Sequence, residues 1–142
     1  MQRVAITVEF HGRAAAPAGD PLQTNPQAAS FSLKASSADG SPFEIEHASY
    51  SNHAIYTGET TFTETGTISF GDTGDEFDID TVGEGTLGPS ADPELLHGAV
   101  MYRVTSGRGR FHSASGLITS NFLLRPATGE FEEQQVAIVF LP

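Results

Sequence analysis

The side chains able to hold a metal or move a proton are few and scattered along this chain. Five histidines occur in its 142 residues, His11, His47, His53, His97 and His112, and no two lie two, three or four positions apart. No local histidine metal site exists, and only a ligand set assembled by the fold stays open. The chain has no cysteine, which excludes thiolate zinc sites, iron–sulfur clusters, cysteine nucleophiles and a disulfide scaffold. Gly107-Arg-Gly109 opens like a dinucleotide loop, but no third glycine follows at the required offset and no helix pattern comes after it; a strand-connecting turn fits better. Asp78-Ile-Asp80-Thr-Val82-Gly83 begins like a calcium loop, yet Val82 stands where an oxygen ligand is needed and Pro89 where the bidentate Glu belongs. No Gly-x-Ser-x-Gly elbow marks a serine nucleophile. Two polar residues remain as candidates. Tyr102 lies between Val100 and Val104 and can donate a hydrogen bond to a carbonyl, and His47 shares the period-two face of Phe43 and Ile45 and can shuttle a proton. Each also has an ordinary reading as an amphipathic residue near a rim.

The elements that must position these residues are strands. Val4, Ile6, Val8 and Phe10 alternate with Ala5, Thr7 and Glu9, and the same period recurs at Phe31/Leu33, Phe43/Ile45, Ile68/Phe70 and Phe77/Ile79. Turn signals separate them, among them Asp39-Gly40-Ser41-Pro42, Gly71-Asp72-Thr73-Gly74 and Pro126-Ala127-Thr128-Gly129. The pattern predicts strands over 3–10, 29–36, 43–50, 53–62, 66–71, 75–86, 98–106, 115–125 and 130–141. One segment, Asp92-Pro93-Glu94-Leu95-Leu96-His97-Gly98, reads as a helix of one or two turns. Residues 11–28 carry no periodicity and read as a long loop or arm. The expectation is an all-β chain forming one domain over 1–142, an antiparallel closed barrel of eight or nine strands, calycin-like, because closure removes unpaired edges. A β-sandwich is the alternative.

With 7 Lys+Arg against 18 Asp+Glu the net charge is −11, so the chain lacks the cationic stripe that nucleic acid requires, and anionic membranes repel it. No stretch approaches the ~18 apolar residues of a spanning helix, and the alternating first strand is unlike a signal peptide. A cytoplasmic protein is expected.

Three segments stand out in the C-terminal half, Gly83-Glu84-Gly85-Thr86-Leu87, Gly98-Ala-Val-Met-Tyr-Arg-Val104 and Gly107-Arg-Gly109-Arg-Phe111-His-Ser-Ala114-Ser-Gly116, the last with the pattern Gly-x-Gly-x-Phe-x-x-Ala-x-Gly. Over residues 83–140 the chain resembles the allene oxide cyclase and dirigent superfamily of small barrels. Physically, the motif is a tight glycine turn, a Phe that plugs the barrel end, and small residues where the next strand bends inward. The resemblance implies an eight-stranded barrel with an apolar lumen, often oligomeric, whose members steer ring closure or coupling of reactive small molecules. Bacterial relatives include natural-product cyclases that form spirotetronate rings by [4+2] cycloaddition. Ser106 and Ser113 depart from the glycines of many members, and the plant enzymes' lumen cysteine has no counterpart here. Glu9, the first strand's one acid, has parity opposed to the apolar face, and no catalytic residue transfers.

Parity places Val4, Ile6, Val8, Phe10, Phe31, Leu33, Phe43, Ile45, His47, Ile68, Phe70, Phe77, Ile79, Val100, Tyr102, Val104, Val136, Ile138 and Phe140 inward. The expected ligand contacts among them are Phe31, Phe43, Phe77, Val100, Tyr102 and Ile138. The last three strands are apolar on both faces, so the second face must be covered by another subunit, by the 11–28 segment or by the short helix; the first is expected, as a homodimer or homotrimer burying parts of Ala99, Met101, Ile118, Leu124, Val139 and Leu141. Three functional expectations follow. The leading one is a cofactor-independent cyclase or isomerase of a hydrophobic small molecule, with no metal; a lipocalin-like carrier and a filled, purely structural barrel are the alternatives.

Overall fold

The alternation at the N-terminus continues further than its apolar residues do, and the first strand, β1, runs Gln2–Arg13. The computed structural model describes residues 1–142 and adds β2 (Gln23–Thr24), β3 (Gln27–Ser37), β4 (Ala48–Tyr56), β5 (Thr61–Phe70), β6 (Asp75–Thr81), β7 (Gly85–Pro89), β8 (Leu96–Arg108), β9 (Ser115–Leu124) and β10 (Glu130–Leu141). Eight of these close a ring in the order β1-β3-β4-β5-β6-β8-β9-β10 and back to β1, every pair antiparallel. The closed barrel is as expected, and β2 and β7 stand outside the ring. β2 pairs with β4 in the register that β3 takes up beyond Pro26, a residue with no N–H to give to the ladder. β7 bridges the starts of β5 and β8. No helix is long and apolar enough to cross a membrane.

Several boundaries move. The expected strand 43–50 lies mostly before β4, so residues 43–47 follow no strand parity. The expected strand 75–86 breaks between β6 and β7, where Gly83 takes a φ of 70°. Residues 92–97 form no helix. The Glu94 N–H donates to Asp92 Oδ1 at 2.9 Å and the Leu95 N–H to the Asp92 carbonyl at 3.0 Å, making one turn, after which the ladder takes Leu96 opposite Pro89 and Leu124. Pairing with two neighbouring strands outcompetes an isolated helix turn.

The core is the barrel interior. One end is closed by aromatic rings: the fully buried Phe111 lies 5.0 Å from Phe70, 5.2 Å from Phe77 and 6.2 Å from Phe43 between ring centroids. The glycines of the Gly-x-Gly-x-Phe motif make this plug. A Cβ on Gly107 would collide with the Phe111 carbonyl, and Gly109 adopts a φ of 63° where the chain folds back.

Four expected inward strand positions prove to face out. Glu9 pairs with Ser32 but Phe10 with Ser30, so Phe31 is the extra residue of a β-bulge and is turned outward, 73% exposed. In β10 the inward face is Phe131, Glu133, Gln135, Ala137, Val139 and Leu141, leaving Val136, Ile138 and Phe140 outside. Register decides this: Val139 stands opposite the buried Val4 of β1, and residues directly opposite share a face. Of the expected interface residues, Ile118, Val139 and Leu141 are therefore core, while Ala99 and Met101 do face outward.

Candidate functional site

Two inward positions that parity would fill with apolar groups hold glutamates instead. Glu64 follows Phe62 on the inner face of β5, and Glu133 follows Phe131 on that of β10; both are buried. β4 adds Tyr50 and Asn52, and β8 adds Tyr102. The Tyr50 hydroxyl donates to Glu133 Oε1 at 3.1 Å, and the Gln135 amide donates to Glu133 Oε2. The Tyr102 hydroxyl donates to Glu64 Oε1 at 3.2 Å and the Asn52 amide to Glu64 Oε2 at 2.9 Å. Each carboxyl is thus held by one phenol and one amide.

Above the two carboxyls a pocket opens at the barrel end opposite the Phe111 plug. It is lined by Tyr50, Glu64 and Glu133 together with an apolar wall that includes Tyr56, Phe62, Leu87, Phe122 and Leu124. Glycines shape that wall. A Cβ on Gly85 would strike the Phe62 ring, and one on Gly98 the Phe122 ring, so both rings lie flat against bare backbone. Ala14, Thr24 and Pro26 line the remaining side. Their segment is strapped across this end by hydrogen bonds from the Ala14 N–H to the Gly129 carbonyl at 2.8 Å and from the Asn25 N–H to the Ala15 carbonyl at 2.9 Å. The cavity, counted as space open to the centre of a water molecule, is about 60 Å³. That admits a few waters or one end of a small apolar molecule.

Burial sets the electrostatics. It pushes the Glu133 carboxyl from 4.5 up to about 7; the charge of Glu64 adds to the rise, and hydrogen bonds from Gln135 and Tyr50 oppose it. Glu64 is also raised, by burial, against the pull of its Asn52 and Tyr102 donors. Burial lifts both tyrosines, Tyr50 and Tyr102, well above the ordinary phenol range, so they remain donors. Glu133 thus exchanges its proton near neutral pH, and two buried carboxyls in unlike surroundings can divide the roles of acid and base.

The residues singled out from the sequence distribute unevenly around this arrangement. Tyr102 is central but fully buried beneath the pocket, and its hydroxyl is engaged by Glu64. His47 lies at the opposite end, exposed, 3.8 Å from Asp72, because the segment before β4 is not a strand. Phe43 and Phe77 belong to the aromatic plug, and Val100 is buried beside Tyr102 without lining the pocket. Phe31 and Ile138 are on the outer surface. Glu64 and Glu133 escaped the sequence reading, although each interrupts an inward series that its neighbours begin, Phe62-x-Glu64 and Phe131-x-Glu133. Comparison of the chain with protein-family models, with curated proteins and with solved structures found no match.

Proposed function

We propose that the protein is a cofactor-independent isomerase or cyclase of a small hydrophobic substrate, working at the open end of the barrel. The observation that carries this reading is the pair of buried carboxyls, Glu64 and Glu133, at the floor of an apolar pocket. Glu133, as the neutral acid, delivers its proton to a substrate oxygen or unsaturated carbon. Glu64, as the carboxylate, takes a proton from a neighbouring carbon, and the double bond shifts between them. No atom is gained or lost, and solvent resets the pair through the pocket mouth. In a ring closure the same acid stabilises the developing negative charge while Phe62 and Phe122 restrict the substrate's rotors. The likeness of residues 83–140 to the allene oxide cyclase and dirigent barrels supports the reading, and the plug formed by Phe111 agrees with it.

The test is deuterium incorporation from heavy water into a panel of small, enolisable hydrophobic ketones, followed by proton NMR. Exchange should fall by roughly 10²–10⁴-fold in Glu133→Gln and in Glu64→Gln, the usual weight of general acid–base catalysis. The wild-type rate should follow a bell in pH whose alkaline limb lies near 7, where Glu133 loses its proton. Variants that bind the same ketones with unchanged exchange would make the barrel a carrier.

A homodimer or homotrimer belongs to the same proposal. The outer faces of β8, β9 and β10 carry Met101, Leu117, Val136, Ile138 and Phe140, a contiguous exposed apolar strip. Sedimentation velocity should show an assembly that Ile138→Glu dissociates; a wild-type monomer would refute it.

A further inference from the structure

The outer wall of the barrel holds a second cluster of chemistry-bearing side chains, apart from the pocket. Glu9 and His11 lie two residues apart on the outward face of β1, and β10 places Glu132 directly opposite His11. His11 Nε2 is 3.8 Å from Glu9 Oε1 and 3.9 Å from Glu132 Oε2, and one ligand atom of each residue lies within 4.8 Å of the others. We propose that Glu9, His11 and Glu132 form a surface site for one divalent transition-metal ion of the Zn²⁺ class.

Three observations support it. First, the spacing is close to what a metal imposes: bond lengths near 2.1 Å set tetrahedral ligand atoms about 3.4 Å apart, so small side-chain rotations complete the site. Second, the two carboxylates lack a cation of their own. Arg13 is committed to Glu130 at 3.0 Å, and Glu9 otherwise receives only the Gln134 amide at 3.5 Å. A dication would neutralise both acids. Third, the imidazole is held in place from outside the acid cluster. The bulge in β3 turns Phe31 out of the barrel, and its ring lies flat on His11, with centroids 4.7 Å apart and planes 3° apart. An aromatic ring 73% exposed adds little to the core. Its contact restrains the plane of an imidazole whose Nε2 faces two carboxylates, the role that outer-shell partners play around metal-binding histidines.

One imidazole and two carboxylates suit Zn²⁺, Co²⁺ or Ni²⁺ better than Ca²⁺ or Mg²⁺, which take oxygen ligands alone. Three protein ligands leave at least one position for water, the arrangement of open rather than purely structural zinc sites. The site was hidden from any local spacing because its third ligand comes from the other end of the chain.

The experiment is calorimetric titration of the full-length, tag-free protein with ZnCl₂ at neutral pH, repeated with Co²⁺ and read by its visible absorption. One ion should bind per chain. His11→Ala and Glu132→Gln should each weaken binding by well over 10-fold, and Phe31→Ala by about 10-fold, the usual effect of losing an outer-shell partner. His112→Ala, an exposed histidine beside the Phe111 plug on the far side of the barrel, should leave it unchanged. Circular dichroism should be the same for all four variants, since the substituted side chains pack little into the core. Absence of saturable uptake would overturn the proposal. So would an affinity that survives His11→Ala, or one that His112→Ala lowers as much.

Discussion

The two ends of the barrel are built from the same kind of residue to opposite effect. At the closed end Phe43, Phe70, Phe77 and Phe111 pack ring against ring, and the Arg110 guanidinium lies 4.3 Å over the Phe43 ring. At the open end Phe62 and Phe122 also approach each other, 5.9 Å apart, but each backs onto a glycine, and the space in front stays empty. Beneath the closed end everything is apolar; beneath the open end sit two carboxyls. Aromatic content alone therefore does not make a binding pocket. What makes one is where the neighbouring strands omit a side chain, and which polar groups the floor retains.

The largest expected effect breaks that comparison directly. Phe111→Ala should cost about 3–5 kcal/mol in urea unfolding, because a fully buried ring leaves a void among three others. Phe122→Ala should cost roughly half of that or less, since its half-buried ring borders space that is already vacant. Equal losses would mean that the open end is packed as tightly as the closed one.

Next comes the floor of the pocket. The folded state holds the Glu133 proton more tightly than the unfolded chain does, with its pKa raised from 4.5 to about 7. Its contribution to stability is therefore fully present below about pH 4.5 and lost as pH rises through about 7. The span corresponds to about 3 kcal/mol. Urea midpoints for the wild type should fall between pH 5 and pH 8, and Glu133→Gln should flatten that slope. A wild-type stability that rises over the same window would reverse the sign and place the charged carboxylate in a favourable site.

A smaller effect tests the glycine wall. Gly98→Ala puts a methyl into the Phe122 ring and should cost about 1–3 kcal/mol, the range for overpacking, while narrowing the pocket. Gly88→Ala, in the same hairpin with open space around it, should be far milder. Smallest of all, Tyr102→Phe removes one donor to Glu64 and should cost about 0.5–1.5 kcal/mol, with the Glu64 carboxyl rising further because a group favouring its charge is gone. A carbon-13 titration of the glutamate carboxyls would register that rise.

How much of this was legible beforehand differs from strand to strand. In β1, β5 and β6 only one face is apolar, so Phe10, Ile68 and Phe77 point inward as alternation requires. In β10 the residues after Gln135 are apolar on both faces, and alternation has nothing to choose with. The larger side chains, Val136, Ile138 and Phe140, suggested the wrong face. Phe31 misled for another reason: a single bulge inverts every parity beyond it and leaves no mark in composition. The Gly-x-Gly-x-Phe turn was readable, since a glycine turn followed by a bulky ring has a local steric meaning, and Phe111 does plug the barrel.

The sequence by itself determined what short-range physics can determine: β-strands from period-two alternation, turns from Gly, Pro and Asp, the absence of thiolate chemistry, and a net charge of −11. That a sheet of so many strands must close or stack follows from these, and the strand pairing shows that it closes. The tertiary structure alone decided which carboxyls are buried and which face water. Glu64 and Glu133 become acids of unusual character only once β5 and β10 turn them into the same dry interior. Glu132, one residue away from Glu133, is left on the surface to meet His11. A carboxyl's chemistry is set by its dielectric surroundings and its neighbours' charges, and both are properties of strand register rather than of residue type.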